Sequence, residues 1–500
     1  MVIIYRLGFN DASEDYAYLA SQILKNKNAN VIKTDDEIII YIDGNEEEIK
    51  STFSLLGEEL PLSLYLSAQS VEEAAMMPPN RQPLKEVSYL AMYPYAARDL
   101  IDDRSEKYFD IGDVALTVNG KNVSGQNAVK ESMGFVVEQL KNGLSVDIKN
   151  ERNHYAVSTA ESPAFVMTNL TERNLRSFDI SMDEALSLSA MERPFVLKLT
   201  EQASKIVCFA NDSIMLLLSK AATDAGIDAL FIHQAGKSDV SVEYRGALGD
   251  APERKVVYFN GSDRFFVNED FVAEKIENSI GSLFFDLNIS DNFGVYAIKE
   301  GVGSKKILSA DFFNDSVWGE IGSGFEFGEK LAANFKSSFP DRFAAIGSLK
   351  LGDKPTIQSF FAAMSAILGL DGGFESVALM ANKADIAGGV KLDFVLSKNE
   401  NGSVALNLKK CFMSMLSYKI AGVEDEILAY SFFESAVDFL IISQDEVKKS
   451  FEIKKLHVAG EFLLSKVFVS KLKSKIKNVD IDMALNSVSL NLKGFYESAR

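Results

Sequence analysis

The first 70 residues limit the fold most tightly. Val2 to Arg6 is a β-branched run, after which Tyr16, Leu19, Ala20, Ile23 and Leu24 recur at helical spacing. Two further runs, NVIKT and EIIIYI, are joined by Asp35-Asp36, and Asp43-Gly44 closes the second. The spacing predicts a helix from Glu46 to Leu56 with Ile49, Phe53 and Leu56 on one face, and Pro61 leads into the strand LSLYLS. The order is βαββαβ, a compact ferredoxin-like unit.

The remaining chain is long enough for about two more domains, since 500 residues at roughly 100 to 200 per domain suggest about three. From Val71 to Ser124 the texture is polar and punctuated by Pro78, Pro79 and Pro83, which predicts a connector holding one hairpin, VALTVNGKNV. A second α/β unit opens with the amphipathic helix Ala128 to Lys141, stopped by Asn142-Gly143. Further on, Ser181 and Glu184 form a capping-box pattern, and Pro194 precedes the strand FVLKL. This unit extends to about Asp286. The third begins with the strands FGVYAI, KKILSADFF and RFAAIGSLKL, followed by helical stretches, the first from Ile357 to Leu368. Leu428, Phe432, Phe433, Ala436, Val437 and Leu440 then mark an apolar helix. After it come the strand KLHVAG, a turn at Gly460 and a helix from Leu463 to Lys477.

Charge and composition remove several function classes. Lysine and arginine number 52 against 71 aspartates and glutamates, a net charge of −19 that repels a phosphate backbone, so no nucleic-acid partner is expected. Cys208 and Cys411 cannot form a disulfide framework. With only His154, His233 and His457 besides, a zinc cluster is not expected either. The start MVIIYRLGFNDASED lacks the pattern of an export signal, and the longest apolar stretch, Phe360 to Leu370, is shorter than the roughly 18 residues of a membrane span. A reduced, soluble, cytoplasmic protein is expected, without membrane partners.

Short patterns add little chemistry. Gly301-Val302-Gly303 and Gly322-Ser323-Gly324 do not complete GxGxxG and read as turns. His457 lies next to a strand-turn-helix where backbone could cradle phosphate, yet as a lone histidine it reads as a packing residue. His154 and His233 read as structural. Neither cysteine has a basic cluster beside it in sequence, so both read as inert thiols. Nine lysines against Glu452 and Glu461 give residues 448 to 477 a charge of +7, while five basic and twelve acidic residues give the first sixty a charge of −7. Such opposite ends could steer docking between modules or with a partner.

The order of modules resembles the HypF-type carbamoyltransferases of NiFe-hydrogenase maturation. That family joins an acylphosphatase domain, a paired zinc-finger module, a YrdC-like nucleotide domain and a Kae1-like domain of the actin-type ATPase fold. GQNAVKESMGFVVEQLKNGLSVDIK from Gly125 and MDEALSLSAMERPFVLKL from Met182 are similar to parts of the YrdC-like domain. SVWGEIGSGFEF, around Trp318, Gly319 and Glu320, is similar to the family's Trp-Gly-Gly-Glu stretch. LHVAGEFLLSKVF, following LAYSFFESAVDFL, resembles its Ser-Gly-Gly strand-turn-helix. The resemblance implies a multidomain α/β and α+β protein with four parts: an acylphosphatase-like domain over 1–70, a connector replacing the zinc fingers over 71–123, a YrdC-like domain over 124–286 and a Kae1-like domain over 287–500.

It also implies that the chemistry has been lost. The family's phosphate-holding arginine follows a Gly-Phe pair; here Gly8-Phe9 precedes Asn10, and the water-placing asparagine aligns with Lys33, a point charge without a bidentate fork. The finger cysteines are absent, and STAESPAFVM stands where the YrdC-like part carries lysines and arginines. IKEGVG replaces the Asp-Gly-Thr-Gly loop, with Lys299 or Glu300 near the aspartate position, and Ala459-Gly460-Glu461 replaces Ser-Gly-Gly. Losing three charged hydrogen bonds at about 1.5 to 3 kcal/mol each costs at least about 4.5 kcal/mol, more than a thousandfold in affinity. ATP and zinc are thus expected to be lost, with no catalytic residues. Gly460, Trp318, Gly319 and Glu320 would remain as the remnant of a nucleotide cleft. The function implied is a catalytically silent accessory or scaffold, with maturation proteins or a hydrogenase subunit as partners. The alternatives are an active carbamoyltransferase or carbamoyl-phosphate hydrolase with relocated residues, or an unrelated small-ligand binder.

Overall fold

The computed structural model describes residues 1–79, 81–85, 114–199, 205–236, 238–246, 254–268, 271–289, 293–299, 303–351, 357–398, 404–449, 452–477 and 479–485. The chain divides into two compact units, the first holding 1–197 and 205–256 and the second beginning at Val257. Residues 257–286, placed with the middle domain on sequence, cluster with the second unit.

The first unit starts with β1 (Val2–Phe9), α1 (Asp15–Ile23), β2 (Ala29–Lys33), β3 (Glu37–Asp43), α2 (Glu46–Glu59) and β4 (Leu66–Ala74). The sheet order is β2-β3-β1-β4 with every pair antiparallel, which is the ferredoxin-like arrangement. Period-2 alternation sends Leu7 and Phe9 of β1 and Ile38, Ile40 and Ile42 of β3 into a core with Tyr16 and Leu19 of α1 and Ile49 and Leu56 of α2. Asn45 and Glu48 start α2 with a reciprocal capping box. The fourth strand departs from expectation: Ser63 to Tyr65 precede it, and β4 runs on into the polar residues up to Ala74. Pairing with β1, rather than its own hydrophobicity, makes this a strand, and its middle is exposed.

The same unit continues with β5 (Ala115–Val118), β6 (Lys121–Val123), α3 (Gln126–Lys141), β7 (Val146–Lys149), β8 (His154–Ser158), β9 (Ala164–Met167), α4 (Glu172–Ser177), α5 (Met182–Leu188), β10 (Phe195–Lys198), β11 (Lys205–Phe209), α6 (Ser213–Asp224), β12 (Ala229–Gln234) and β13 (Val240–Arg245). These strands lie in the order β10-β11-β9-β12-β8-β7-β13-β5-β6, a mixed sheet. The hairpin assigned to the connector, β5-β6, is therefore the edge of this sheet, paired through β5 to β13. Ser181 and Glu184 do form the capping box of α5. Buried Glu192 ties this sheet to the first module: its carboxylate accepts from Leu64 N–H at 2.9 Å and from the Ser63 hydroxyl, and Met191 N–H donates to Leu62 C=O at 2.8 Å.

The second unit contains β14 (Val256–Asn260), β15 (Asp263–Val267), α7 (Phe271–Asn278), β16 (Ser282–Asp286), β17 (Gly294–Lys299), β18 (Gly303–Asp311), α8 (Val317–Gly324), α9 (Gly328–Ser338), α10 (Pro340–Gly347), α11 (Ile357–Leu368), α12 (Phe374–Lys383), β19 (Val395–Lys398), β20 (Val404–Asn407), α13 (Leu408–Ile420), α14 (Asp425–Lys448), β21 (Lys455–Ala459), α15 (Lys466–Lys475) and β22 (Asp480–Ala484). Its sheet runs β19-β20-β18-β17-β16-β21-β22. Strands β16, β21 and β22 are mutually parallel, β17 is antiparallel to both β16 and β18, and β20 is parallel to β18. Strands β16, β18, β20, β21 and β22 therefore all end on one edge.

Three expectations fail here. RFAAIGSLKL is no strand: Pro340 sits at the first helical position, where its missing N–H is harmless, and starts α10. Gly322-Ser323-Gly324 is neither loop nor turn but the last turn of α8. The helix expected from Leu463 begins as a 3-10 turn, Glu461–Leu464, and Ser465 caps a new start at Lys466.

Candidate functional site

In open α/β sheets, ligands bind beyond the carboxyl ends of the strands. All four residues singled out on sequence lie at that edge of the second unit: Gly460 directly after β21, and Trp318, Gly319 and Glu320 in the helix after β18. What their side chains do there is specific. Trp318 stacks on Phe343 with ring centroids 4.2 Å apart and donates its indole N–H to Phe343 C=O at 3.0 Å. Gly319 N–H is capped by the Ser316 hydroxyl at 3.3 Å. One oxygen of Glu320 accepts from Asn314 and Asp315 N–H, at 2.5 and 3.0 Å, and the other from Lys409 Nζ at 3.0 Å. Burial raises the Glu320 carboxyl, but those donors outweigh it and leave the pKa below the usual carboxylate value. Lys409 also lies 3.7 Å from Asp311 at the end of β18. The three residues thus hold a loop and a helix start together.

At Gly460 the chain crosses the end of β16. Its φ is +112°, and a Cβ there would lie 2.3 Å from Leu287 C and 2.4 Å from Leu287 O, so only glycine fits. Glu461 follows, fully buried, and its carboxylate accepts from Ile289 N–H at 3.0 Å. Asp286, at the end of β16 and paired in register with Ala459, is buried too, and Asn288 N–H donates to it at 3.3 Å. The stem of Lys306 crosses Gly294, opposite Asp286, so closely that a Cβ at Gly294 would meet Lys306 Cε at 2.3 Å. Burial lowers the Lys306 pKa and raises that of Tyr296; the Asp286 charge raises both. The edge therefore carries two buried carboxylates, Asp286 and Glu461, with a lysine crossing beside the first. Such a set can organise a turn at the sheet edge.

Sequence reading missed Asp286, which merely ends the run SLFFD, and Lys306, which looked like surface charge. The aspartate position was assigned to Lys299 or Glu300. Lys299 pairs with Gly303 at the far end of the hairpin, while Asp286 pairs with Gly294 at the end nearest Gly460. Glu300 and the Gly301–Val302 part of the glycine pattern lie outside the described residues.

The histidines and cysteines fall as packing groups. His457 lies within β21, buried between the rings of Phe271 and Phe284, each 6.3 Å from it centroid to centroid. Its Nδ1 is 3.4 Å from Asp482, without hydrogen-bond alignment, and Lys275 Nζ is 3.0 Å from the same carboxylate. His154 meets Asp147 at 2.6 Å and His233 meets Ser158 at 2.9 Å. Cys208 is not isolated from basic groups, since the Arg254 charge acts on it across the fold and favours the thiolate. Burial nevertheless wins and raises its pKa. Around it, Arg254 stacks on Phe195 and Arg193 on Phe209, and burial together with Arg254 lowers Arg193 to about 10. Cys411 is buried and likewise raised.

In the first module, Lys33 turns its ammonium to Thr34 C=O and Asp35 C=O, 5.4 Å from the Phe9 ring centroid. Asn10 N–H donates to Tyr65 C=O at 3.0 Å. Among the described residues no three His, Cys, Asp or Glu side chains converge as a metal site, and no helix is long and apolar enough to cross a membrane.

A ferredoxin-like module joined to a mixed sheet, followed by a second mixed sheet with its candidate residues at the carboxyl edge, defines a multidomain α/β protein. The particular architecture is that of HypF. The crystal structure of full-length HypF in the phosphate- and nucleotide-bound form matches 100% of this chain and 98% of that one, at TM-score 0.53 and 11% identity. T. kodakarensis HypF matches 98% and 96%, at TM-score 0.57 and 10% identity. In sequence, protein HydE of Wolinella succinogenes is 28% identical over 163 residues, covering 31% of this chain and 30% of HydE. The match thus spans less than a third of that relative. No family model matches the chain.

Proposed function

We propose that this chain is a HypF-like accessory or scaffold protein of NiFe-hydrogenase maturation, working by binding and not by carbamoyl transfer. The observation that carries the reading is the Gly460 turn. There Glu461 puts a buried carboxylate at the sheet edge that also carries Asp286, and it occupies the Ile289 N–H. A phosphate placed at this turn would meet like charge and find that backbone donor already used. The Lys33 ammonium is likewise committed to its own loop. The residues at the turn do not fit a nucleotide phosphate, so ATP belongs to the chemistry proposed as lost, and zinc is proposed as lost with the finger cysteines. Trp318, Gly319, Glu320 and Gly460 persist in this reading because they hold the sheet edge together. Cytoplasmic location and maturation proteins or a hydrogenase subunit as partners belong to the same proposal.

Calorimetry of the full chain with Mg-ATP is expected to give no binding at micromolar concentrations, and carbamoyl phosphate is expected to release phosphate only at the uncatalysed rate. Micromolar ATP binding, or turnover abolished by Lys33→Ala, overturns the silent reading. Tagged protein is expected to retain untagged maturation factors or a hydrogenase subunit from a co-expressing cell. Repeated recovery of none of them overturns the accessory role.

A further inference from the structure

Strands β5, β6, β7 and β13 border a cleft that the proposed role does not use. Along β13 the side chains alternate, with Val240, Val242 and Tyr244 buried and Glu243 and Arg245 exposed. Glu243 is paired in register with Lys149 of β7 on one side and with Thr117 of β5 on the other. The flanking residues Ile148 and Leu116 are buried, so Thr117, Glu243 and Lys149 stand in one row on the face turned away from them. A cleft of about 850 Å³ is lined by Lys149, Glu243 and Arg245 and by the apolar Val114, Ala115 and Val123. That volume is within the range that holds a small molecule.

The charges of the cleft are unspent. Opposite charges facing each other across neighbouring strands can pair. Among the described residues, however, no hydrogen bond or ion pair engages the side chain of Lys149, Glu243 or Arg245. The second carboxylate on the cleft, Glu151, is already committed, since it accepts from Gly246 N–H. Tyr244 is fixed as well: its hydroxyl donates to Asp212 at 2.9 Å and accepts from Asn150 Nδ2 at 3.2 Å. Two cations and one carboxylate therefore remain to meet a ligand. A simple anion would gain Lys149 and Arg245 but meet the Glu243 charge, and a simple cation would suffer the reverse. A molecule with an ammonium beside its carboxylate satisfies all three.

We propose that this cleft binds an α-amino acid with an apolar side chain. Its carboxylate is held by Arg245 and Lys149, its ammonium by Glu243, and its side chain lies against Val114 and Val123. Such binding is independent of the maturation role.

Equilibrium dialysis of the full chain with L-leucine tests the site. Isocaproate and isoamylamine serve as probes with the same tail, the first lacking the ammonium and the second the carboxylate. Leucine is expected to bind saturably and at least ~10-fold more tightly than either probe. Arg245→Gln is expected to weaken both leucine and isocaproate by at least ~10-fold, whereas Glu243→Gln weakens leucine and tightens isocaproate. Both side chains are exposed, so the substitutions leave the urea midpoint of the first unit unchanged. Absence of saturable leucine binding, or leucine binding unaltered by both substitutions, overturns the site. Isocaproate bound as tightly as leucine overturns the amino-acid assignment.

Discussion

Gly460 is demanded twice, by a backbone angle and by a neighbouring chain. Its φ of +112° is strained for any other residue, and its Cα lies against the Leu287 peptide. Gly460→Ala is therefore expected to destabilise the second unit by about 3 kcal/mol or more, read as a lower urea midpoint of that unit's transition. Asp482 makes a second argument at this scale. Burial raises its carboxyl, but His457 and the Lys275 ammonium outweigh that and hold it at about 2. A folded pKa below the unfolded value of about 3.9 contributes stability above pH 4 that is lost as pH falls towards 2, at most about 2 kcal/mol. Asp482→Asn is expected to flatten stability against pH in this window, as followed by denaturant titration at pH 5, 4 and 3. An unchanged slope would assign the acid loss to other carboxylates.

Elements owe their positions to contacts of different reach. The capping boxes of α2 and α5 and the proline of α10 act within four residues, so these helix starts have local signals, although the one at Pro340 is easily passed over beside the apolar run that follows. The start of α8 is different. Glu320 holds Asn314 and Asp315 from inside the helix and is itself held by Lys409 from α13, 89 residues later. Glu320→Ala should cost the second unit about 1 to 3 kcal/mol and Lys409→Ala less, because the backbone bonds to Glu320 survive the latter. Comparison of the two urea midpoints checks the order. The 3-10 turn after Gly460 is anchored by Phe462, whose ring meets Phe361, Phe374, Phe432, Phe433 and Phe468 with centroids 5.5 to 6.1 Å away. Phe462→Ala is expected to cost about 3 to 5 kcal/mol by cavity formation, with the first unit's transition unmoved.

At the scale of the whole molecule, the order of modules was legible because periodicity of 2 and of 3.6 is a local property. The βαββαβ unit, the helix before β7 and the strand-turn-helix at Gly460 all follow from side chains a few residues apart. The scarcity of cysteine and histidine was equally legible, being a count. Other features required distant segments to meet. The polar residues of β4 became a strand only by pairing with β1, and the β5-β6 hairpin joined a sheet instead of a connector through β13, more than 110 residues on. Cys208 met Arg254, and Asp286 came to lie beside Gly460, 174 positions away in sequence. The sequence alone determined the βαββαβ order of the first module and most helix and strand positions after it, because these depend on residue type and near spacing. Tertiary structure alone decided which carboxylates face the sheet edge, because burial and register bring together groups that no spacing rule connects.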